Sequence, residues 1–561
     1  MVDEPTPKIT PQRVAQHAHV LAAPKVLVVG AGIGGLVSAL LLANAGAEVT
    51  VLESKAESGG KMRQLWPGAG SDLGAGAGQG NSPMATSPVL DGIDSGPTVL
   101  TMKWVFEEIF AQVGAHLDRE LNLTQLDVLA RHAWSADQGG QQLTLYADHA
   151  RNLDAVAEFS GSAEAKKFNA FCQSAKSLYQ ALEGAVIREA QPSLTKMLFS
   201  LGPKGLATLS SIGPMKTLWE SLGSSFNDPR LRQLFARYAT YCGSSPWSAP
   251  ATLMLIAQVE MDGVWSVEGG MRTLAKTLER LARQKGVQFR FQTACRDIEI
   301  HQDRFRAVHT ESGERIEAQA LVFNGDIEAL LSGSMGSAVR TKMVQRASKK
   351  SERSLSALTW TMRCTVREER FQLDRHNVFF QNNYFKEFDD IFNNKRLPES
   401  PTVYICAQNR GVDRCGDRGL DRDLEPSATA SADNEPIFCL VNAPATGDTQ
   451  EFTQQELDQC ETQTFNLLSR CGLHLERDPQ RTIQVQPKNF HQLFPSTGGA
   501  LYGQATHGWM QVFSRSNAST PIQGLFLTGG SVHPGPGVPM VAMSARLAVA
   551  IVTEHLGLTR R

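Results

Sequence analysis

The chain has 561 residues, 42% apolar and 20% charged, with a net charge of −2 and a pI near 6.7. That length exceeds a single core and implies two closely joined domains, and the near-neutral charge supplies no basic field for a nucleic-acid backbone. Nine cysteines scattered from Cys172 to Cys471, without a close C-x-x-C pair, indicate neither a metal site nor a disulfide framework and fit a reduced, cytoplasmic setting. The longest apolar stretch, Val538 to Val552, is interrupted by Ser544 and Arg546, so no membrane-spanning segment is expected. Residues 1–24 carry Asp3, Glu4 and three early prolines but no apolar core, and are expected to be a disordered tail.

The first element is the apolar run Val26 to Val29, broken by Gly30, Gly32, Gly34 and Gly35 and followed by Leu36 to Ala43. This reads as strand, tight turn and helix. Gly30 lets the chain leave the strand sharply, Gly32 leaves backbone open to a pyrophosphate, and Gly35 lets the helix lie close to the sheet. The helix N-terminus offers unpaired N–H groups to the phosphates. A second strand, Glu48 to Leu52, ends in Glu53, where a carboxylate accepts both hydroxyls of an adenosine ribose and selects against a 2′-phosphate. Gly59, Gly60 and Lys61 follow, adding backbone and a cation to a diphosphate that stays bound, which favours FAD over an exchanging nicotinamide.

Residues 67–88, dominated by Gly, Ala and Ser, are expected to form an insertion loop. At Asp94 to Thr98, Gly96 and Pro97 fix a bend able to present backbone amides to a flat ring, and Thr98 is expected to start a helix through Trp104, Phe106 and Ile109. From 115 to 262 the pattern changes. Leu121 to Leu129 and Gln142 to Tyr146 alternate like strands, and Ala150 to Val259 is mostly helical, broken before Pro192, Pro203, Pro214, Pro229 and Pro246. The section 194–222 is rich in large apolar residues, among them Met197, Phe199 and Trp219, with Lys196, Lys204 and Lys216 interspersed. It fits an ordinary helical core equally with a greasy channel or a surface dipping into a bilayer.

The nucleotide pattern returns over 263–330, with a helix from Met271 to Arg283 and strands at Val287 to Phe291, Asp297 to Ile300, Phe305 to His309 and Leu321 to Asp326. Residues 331–500 read as α+β, with strands near 357–365 and 401–406 and a polar loop over 409–436. In 501–561 the strand Gly524 to Leu527 runs into Gly529, Gly530 and Ser531, and the stretch His533 to Met540 opens the last helix. One diphosphate needs one such turn, so the second is assigned to the flavin ring and ribityl chain. The expected fold is α/β, mixed with α+β: a Rossmann-like FAD-binding domain assembled from 25–114, 263–330 and 501–561. Into it are inserted a helical, membrane-associating block (115–262) and a substrate-domain sheet (331–500).

The glycine motif with Glu53 and Gly59-Gly60, the Asp94 to Thr98 turn, and His533-Pro534-Gly535-Pro536-Gly537-Val538-Pro539 together resemble the phytoene desaturase family of FAD-dependent carotenoid desaturases over nearly the whole chain. Gly263 to Met271, Phe494 to Gly503 and Gly529 to Met540 look most like the 1-hydroxycarotenoid 3,4-desaturases, also called methoxyneurosporene dehydrogenases. The resemblance implies FAD with its ADP end on Gly30, Gly32, Gly34, Gly35, Glu53, Gly59, Gly60 and Lys61. The flavin end then falls to Gly96, Pro97, Thr98, Gly530, Ser531, Gly537, Val538, Pro539 and Met540. Related amine oxidases carry an acid where this chain has Gly530-Ser531, and the 67–88 insertion is longer than the family's usual link.

The implied reaction takes two hydrogens from an acyclic 1-hydroxycarotenoid, a hydride to the flavin and a proton to a base or water, with no metal. Candidates for the proton acceptor are Glu260, Asp262 and Glu268, which flank Trp265 in a substrate pocket, and His533; each better suits a structural role such as a helix cap or a turn hydrogen bond. A C40 substrate is insoluble, so peripheral, monotopic attachment to a lipid bilayer is expected. Phytoene desaturases, carotenoid isomerases and ketolases share the cofactor motifs, and the fold also serves isoprenoid-binding proteins without a working flavin. The electron acceptor and oligomeric state are left open by the sequence.

Overall fold

The computed structural model describes residues 22–68, 92–135, 140–191, 213, 215–346, 352–411, 434–508, 511 and 515–558. The expected tail, the 67–88 insertion, much of 194–222 and most of the 409–436 loop lie outside the described residues.

The first strand, Lys25–Val29, sits in the middle of a five-stranded parallel sheet. The spatial order is Leu525–Leu527, Ala320–Phe323, Lys25–Val29, Glu48–Leu52, Gln288–Arg290. Val26 stands opposite Ala320 on one side and Val49 on the other. Successive side chains of a strand face opposite ways, so Val26, Val28, Ala320 and Val322 pack into one core while Leu27, Leu321 and Phe323 pack into another. The first core holds the helices Ile33–Asn44, Met271–Gln284 and Val538–His555. The second holds a three-stranded antiparallel ribbon of Cys295–His301, Arg304–Thr310 and Arg315–Glu317. Val538–His555 is long and apolar enough to cross a membrane by composition, yet Ala542, Ala545, Val549 and Val552 are spent in this core.

A second sheet lies beside the first. Its order is Leu473–Glu476, Ser356–Glu368, Glu435–Ala443, Val403–Ala407, His376–Phe380, Val128–Trp134, Gln142–Tyr146, and Thr482–Val485 also pairs with Ser356–Glu368. All pairings are antiparallel except His376–Phe380 with Val128–Trp134. One face, through Val403, Ile405, Ile437, Cys439 and Val441, packs on the helix Gln454–Arg470, whose start is fixed by a Thr453/Glu456 capping box. The alternate residues Tyr404, Phe438, Leu440 and Asn442 face a cavity. Over that cavity lies a helical layer that includes Ser162–Leu182 and Leu255–Met261.

Two local expectations change. The helix expected to begin at Thr98 begins at Lys103, because Leu100 is held extended by the Trp265 N–H, 2.8 Å from its carbonyl. The strand His376–Phe380 escaped the pattern reading because all five residues are buried, which erases the alternation of a half-exposed strand.

Candidate active site

The first glycine turn is a set of backbone contacts too close for side chains. A Cβ on Gly35 would stand 1.9 Å from the Gly30 carbonyl oxygen, so the helix reaches the turn only without one. The Gly59 N–H donates to the Ala31 carbonyl at 2.9 Å, and a Cβ on Gly60 would come within 3.1 Å of Gly32 Cα. Glu53 is buried at the end of its strand, its carboxylate accepting from the Ala31 N–H at 2.6 Å and the Lys55 N–H at 2.9 Å. Asn324, at the end of the neighbouring strand, donates to the Gly30 carbonyl at 3.3 Å; its role is not signalled by any spacing in the sequence. Lys61, expected at the ADP end, turns elsewhere. Its ammonium donates to the Leu501 carbonyl at 2.5 Å and lies 5.3 Å from the centre of the Phe494 ring, and burial lowers its pKa against the pull of Asp326.

The next turn docks directly on this one. A Cβ on Gly96 would sit 1.9 Å from the Lys61 carbonyl oxygen, and the Ser95 N–H donates to the Arg63 carbonyl at 3.0 Å. Asp94 anchors the arrangement: its carboxylate caps the helix at Met271 (2.7 Å) and accepts from Gln64, while Gln408 bridges its backbone N–H and carbonyl at 3.0 and 2.8 Å. Burial raises its pKa, and those hydrogen bonds oppose the rise.

At the other end of the chain, Ser531 is committed to the fold, its Oγ accepting from the Ile327 N–H at 3.1 Å. Arg515, unmarked in the sequence reading, donates to the Gly530 and Gln504 carbonyls at 3.1 and 3.2 Å and to Thr506 Oγ1 at 3.0 Å. The helix Val538–His555 starts here, its first N–H groups pointing out of the helix. Added Cβ atoms on Gly530 and Gly537 would make ordinary contacts at 3.7 and 3.9 Å, so neither position is closed by its neighbours, and Gly537 lines a cavity. A cradle of bare backbone around Gly30–Gly35 with a buried acid beside it, and a second open turn at a helix start, fit the two halves of an FAD.

Gly96, Pro97, Thr98 and Gly537 to Met540 form one end of a cavity of about 650 Å³. Leu182, Val186, Ile187, Leu253, Ile256 and Val259 roof it, and Val378, Tyr404, Phe438 and Leu440 floor it. Polar groups are few and mostly paired. The Tyr404 hydroxyl lies 2.7 Å from both Thr98 Oγ1 and His376 Nδ1, and burial pushes the His376 pKa down to about 3, keeping the imidazole neutral. Tyr241 accepts from Arg237 Nη1 at 3.0 Å and donates to Glu260. Three residues from distant parts of the chain thus meet at Tyr404, a constellation with no local spacing to betray it.

The four acid–base candidates are placed away from this space. Glu260 sits behind the wall: Tyr238 donates to it at 2.6 Å, Tyr241 also donates, and Arg237 stands 3.8 Å away. Asp262 accepts from Gln258 at the end of its helix, and Glu268 is exposed, accepting from Asn122. His533 directs Nε2 at the Val186 and Glu189 carbonyls, 2.9 and 3.0 Å away. Trp265 does not line the cavity either. It pairs with Gln125 in a short two-stranded antiparallel sheet and packs on the first core, where its ring fills the space beside Gly263.

Residues 33–553 match the model of the flavin-containing amine oxidoreductases. A hydroxyneurosporene desaturase of Rubrivivax gelatinosus is 48% identical over 97% of this chain and 96% of its own length, and one of Cereibacter sphaeroides is 37% identical over 95% and 98%. A 1-hydroxycarotenoid 3,4-desaturase of a Flavobacterium species is 27% identical over 94% and 99%. Among solved structures, putrescine oxidase shares the fold, with a TM-score of 0.56 at 13% identity over 95% of this chain and 99% of that one. With its two glycine turns and apolar cavity, the chain belongs to the flavin-containing amine oxidoreductase family, in its carotenoid-desaturase branch, and is an FAD-dependent oxidoreductase.

Proposed function

We propose that this protein removes two hydrogens across the 3,4 bond of an acyclic 1-hydroxycarotenoid. The observation that carries the reading is the cavity, whose aliphatic and aromatic walls suit a polyene and whose one end is built from Gly96–Thr98 and Gly537–Met540. The named activities of the relatives at 48% and 37% identity support it. Bound FAD supplies the hydride acceptor. Gly30, Gly32, Gly34, Gly35, Glu53, Gly59 and Gly60 would hold its ADP half, and Gly96, Pro97, Thr98, Gly530 and Gly537 to Met540 its flavin half.

The protein's own part is alignment, dryness and disposal of a proton. Roof and floor hold an extended chain flat and exclude water, so the reacting carbons meet the cofactor in one register. A weak base suffices for the proton, since positive charge developing along a polyene acidifies the adjacent C–H. Tyr404, with His376 Nδ1 behind its hydroxyl and Thr98 beside it, is such a group on the cavity floor.

The substrate arrives from a bilayer, which the protein meets as a peripheral, monotopic guest. Exposed Met215 (78%) and Phe385 (52%) support this reading, the latter edge-on to Trp247 at 5.1 Å. Failure to co-sediment with anionic liposomes would exclude it. The reaction is tested by supplying 1-hydroxyneurosporene, neurosporene and phytoene to the holoenzyme. The expected result is a red-shifted product spectrum from the hydroxylated substrate; a shift from phytoene alone would assign a different desaturase activity.

A further inference from the structure

Discrimination between a 1-hydroxycarotenoid and its hydrocarbon precursor needs a polar group in an otherwise apolar cavity. Most polar side chains on its walls are already engaged. Tyr404 is shared by Thr98 and His376, Tyr241 by Glu260 and Arg237, and Arg515 by two carbonyls and Thr506. Asn442 gives its amide to Glu387 at 3.0 Å. Four hydroxyls on the cavity wall, those of Thr101, Thr252, Tyr384 and Tyr502, have no hydrogen-bond partner among the described residues, and of these the two phenols stand on the longer side chains. A hydroxyl facing apolar surroundings gains by pairing with a ligand and loses when an apolar ligand displaces its water.

Position separates the two. In a 1-hydroxycarotenoid the oxygen is three bonds from the nearer reacting carbon, under about 4 Å away, so its partner must stand at the cofactor end. Tyr502 does. Its segment is tied to the Gly530 turn: Arg515 donates to both the Gln504 and the Gly530 carbonyl, and a Cβ on the neighbouring Gly503 would come within 2.8 Å of Ser531 Cβ. The ring is fixed as well: the Tyr502 N–H donates to Ser354 Oγ at 3.1 Å, and the ring lies over Gly243, whose added Cβ would be 2.8 Å from Cδ2. Tyr384 lies inside the helical-layer core, in an aromatic group with Trp247, Phe380 and Phe388, whereas Tyr502 packs on that core only at its edge.

The geometry points to Tyr502 as the residue that reads the substrate's tertiary hydroxyl, an assignment that rests on the 1-hydroxycarotenoid reading above. Burial pushes its phenol up to about 12, so it stays protonated and both donates to and accepts from an alcohol. A hydrocarbon in the same place leaves the phenol unpaired, and a site built to pair a hydroxyl rejects the analogue lacking it.

The test compares wild type, Tyr502→Phe and Tyr384→Phe as holoenzymes. Dissociation constants for 1-hydroxyneurosporene and neurosporene are measured with the flavin pre-reduced, so no turnover occurs, and kcat/KM for both is measured with it oxidised. Tyr502→Phe is expected to bind the hydroxylated polyene roughly tenfold or more weakly, to hold neurosporene at least as tightly as wild type does, and to lose the wild-type preference. Tyr502→His, which restores a polar tip, should recover part of that preference and serves if the phenylalanine variant loses its flavin. A wild-type preference that survives Tyr502→Phe, or vanishes only in Tyr384→Phe, overturns the assignment alone. A wild-type enzyme indifferent to the hydroxyl overturns the assignment together with the 1-hydroxycarotenoid reading.

Discussion

Gly96→Ala probes the contact between the Gly96–Thr98 turn and the Gly59–Lys61 segment. The new methyl would stand 1.9 Å from the Lys61 carbonyl oxygen and 3.1 Å from its carbon. Ordinary contact begins near 3.5 Å, so the backbones must part by about 1.5 Å. Backbone strain is not at issue, since Gly96 lacks a positive φ; the effect is purely steric. Lys61 has little freedom to retreat, because its ammonium is fixed on Leu501, Ser95 is tied to the Arg63 carbonyl, and Gly60 rests on Gly32. Overpacking of this kind destabilises by about 1–3 kcal/mol, a fall of a few degrees in melting temperature for a chain of this size. The displaced turn also lifts Gly60 from Gly32, so about tenfold weaker FAD binding is expected for each 1.4 kcal/mol that reaches the site. Melting curves and titration of flavin-free protein with FAD measure the two effects. As a control, Gly184→Ala, in the helical turn Glu183–Ile187, places its methyl where nothing lies within 4 Å and should melt no lower than wild type. A Gly96→Ala protein with wild-type melting and flavin affinity would refute the steric argument.

Glu260→Gln leaves the buried Arg237 without its counter-charge, so a loss of about 3–5 kcal/mol in stability is expected. Activity per flavin-bearing molecule should fall less than tenfold, because Tyr241 stands between this carboxylate and the cavity. Normal melting with a thousandfold loss of kcat would instead make Glu260 the base. Glu387 sets a pH dependence. Burial raises its carboxyl from 4.5 to about 7 despite hydrogen bonds from Thr402 and Asn442, so the folded protein retains a proton that the unfolded chain releases. Its contribution is therefore present at low pH and lost as pH rises from about 4.5 through 7, at about 1.4 kcal/mol per unit. Urea unfolding of wild type and Glu387→Gln between pH 5 and 8 should show wild type losing ground up to about pH 7 and then holding level; a constant difference would contradict the assignment.

What could be read from the sequence was what local spacing records. The Gly30–Gly35 turn, Glu53 and the amphipathic helix at Met271 each carry their signal within a few residues, and the second glycine turn repeated the first. The rest depends on which way side chains face once distant segments meet. Trp265 neighbours three carboxylates along the chain, but its long-range pairing with Leu123–Gln125 packs it against the core. Tyr404, His376 and Thr98 share one hydrogen-bonded cluster across roughly three hundred residues, and Asn324 and Arg515 act on backbone carbonyls, a task that leaves no motif. The Thr98 helix start failed because a long-range bridge to Trp265 outweighed the local preference of a Pro-Thr turn.

The strand order of the parallel sheet has a consequence for biosynthesis. Lys25–Val29 leaves the ribosome first, yet its neighbour Ala320–Phe323 and the edge strand Leu525–Leu527 come far later. At ordinary elongation rates the open side of Lys25–Val29 waits roughly 15 to 60 s for Ala320–Phe323 and the sheet roughly 25 to 100 s for Leu525–Leu527, an unpaired apolar ribbon open to wrong partners or chaperones. The closing strand and helix also build the Gly530–Met540 turn, so on the proposed assignment the flavin half of the site forms after the ADP half. A polypeptide released before Gly524 would emerge with half a cradle and an open sheet, fit for degradation and not for slow catalysis.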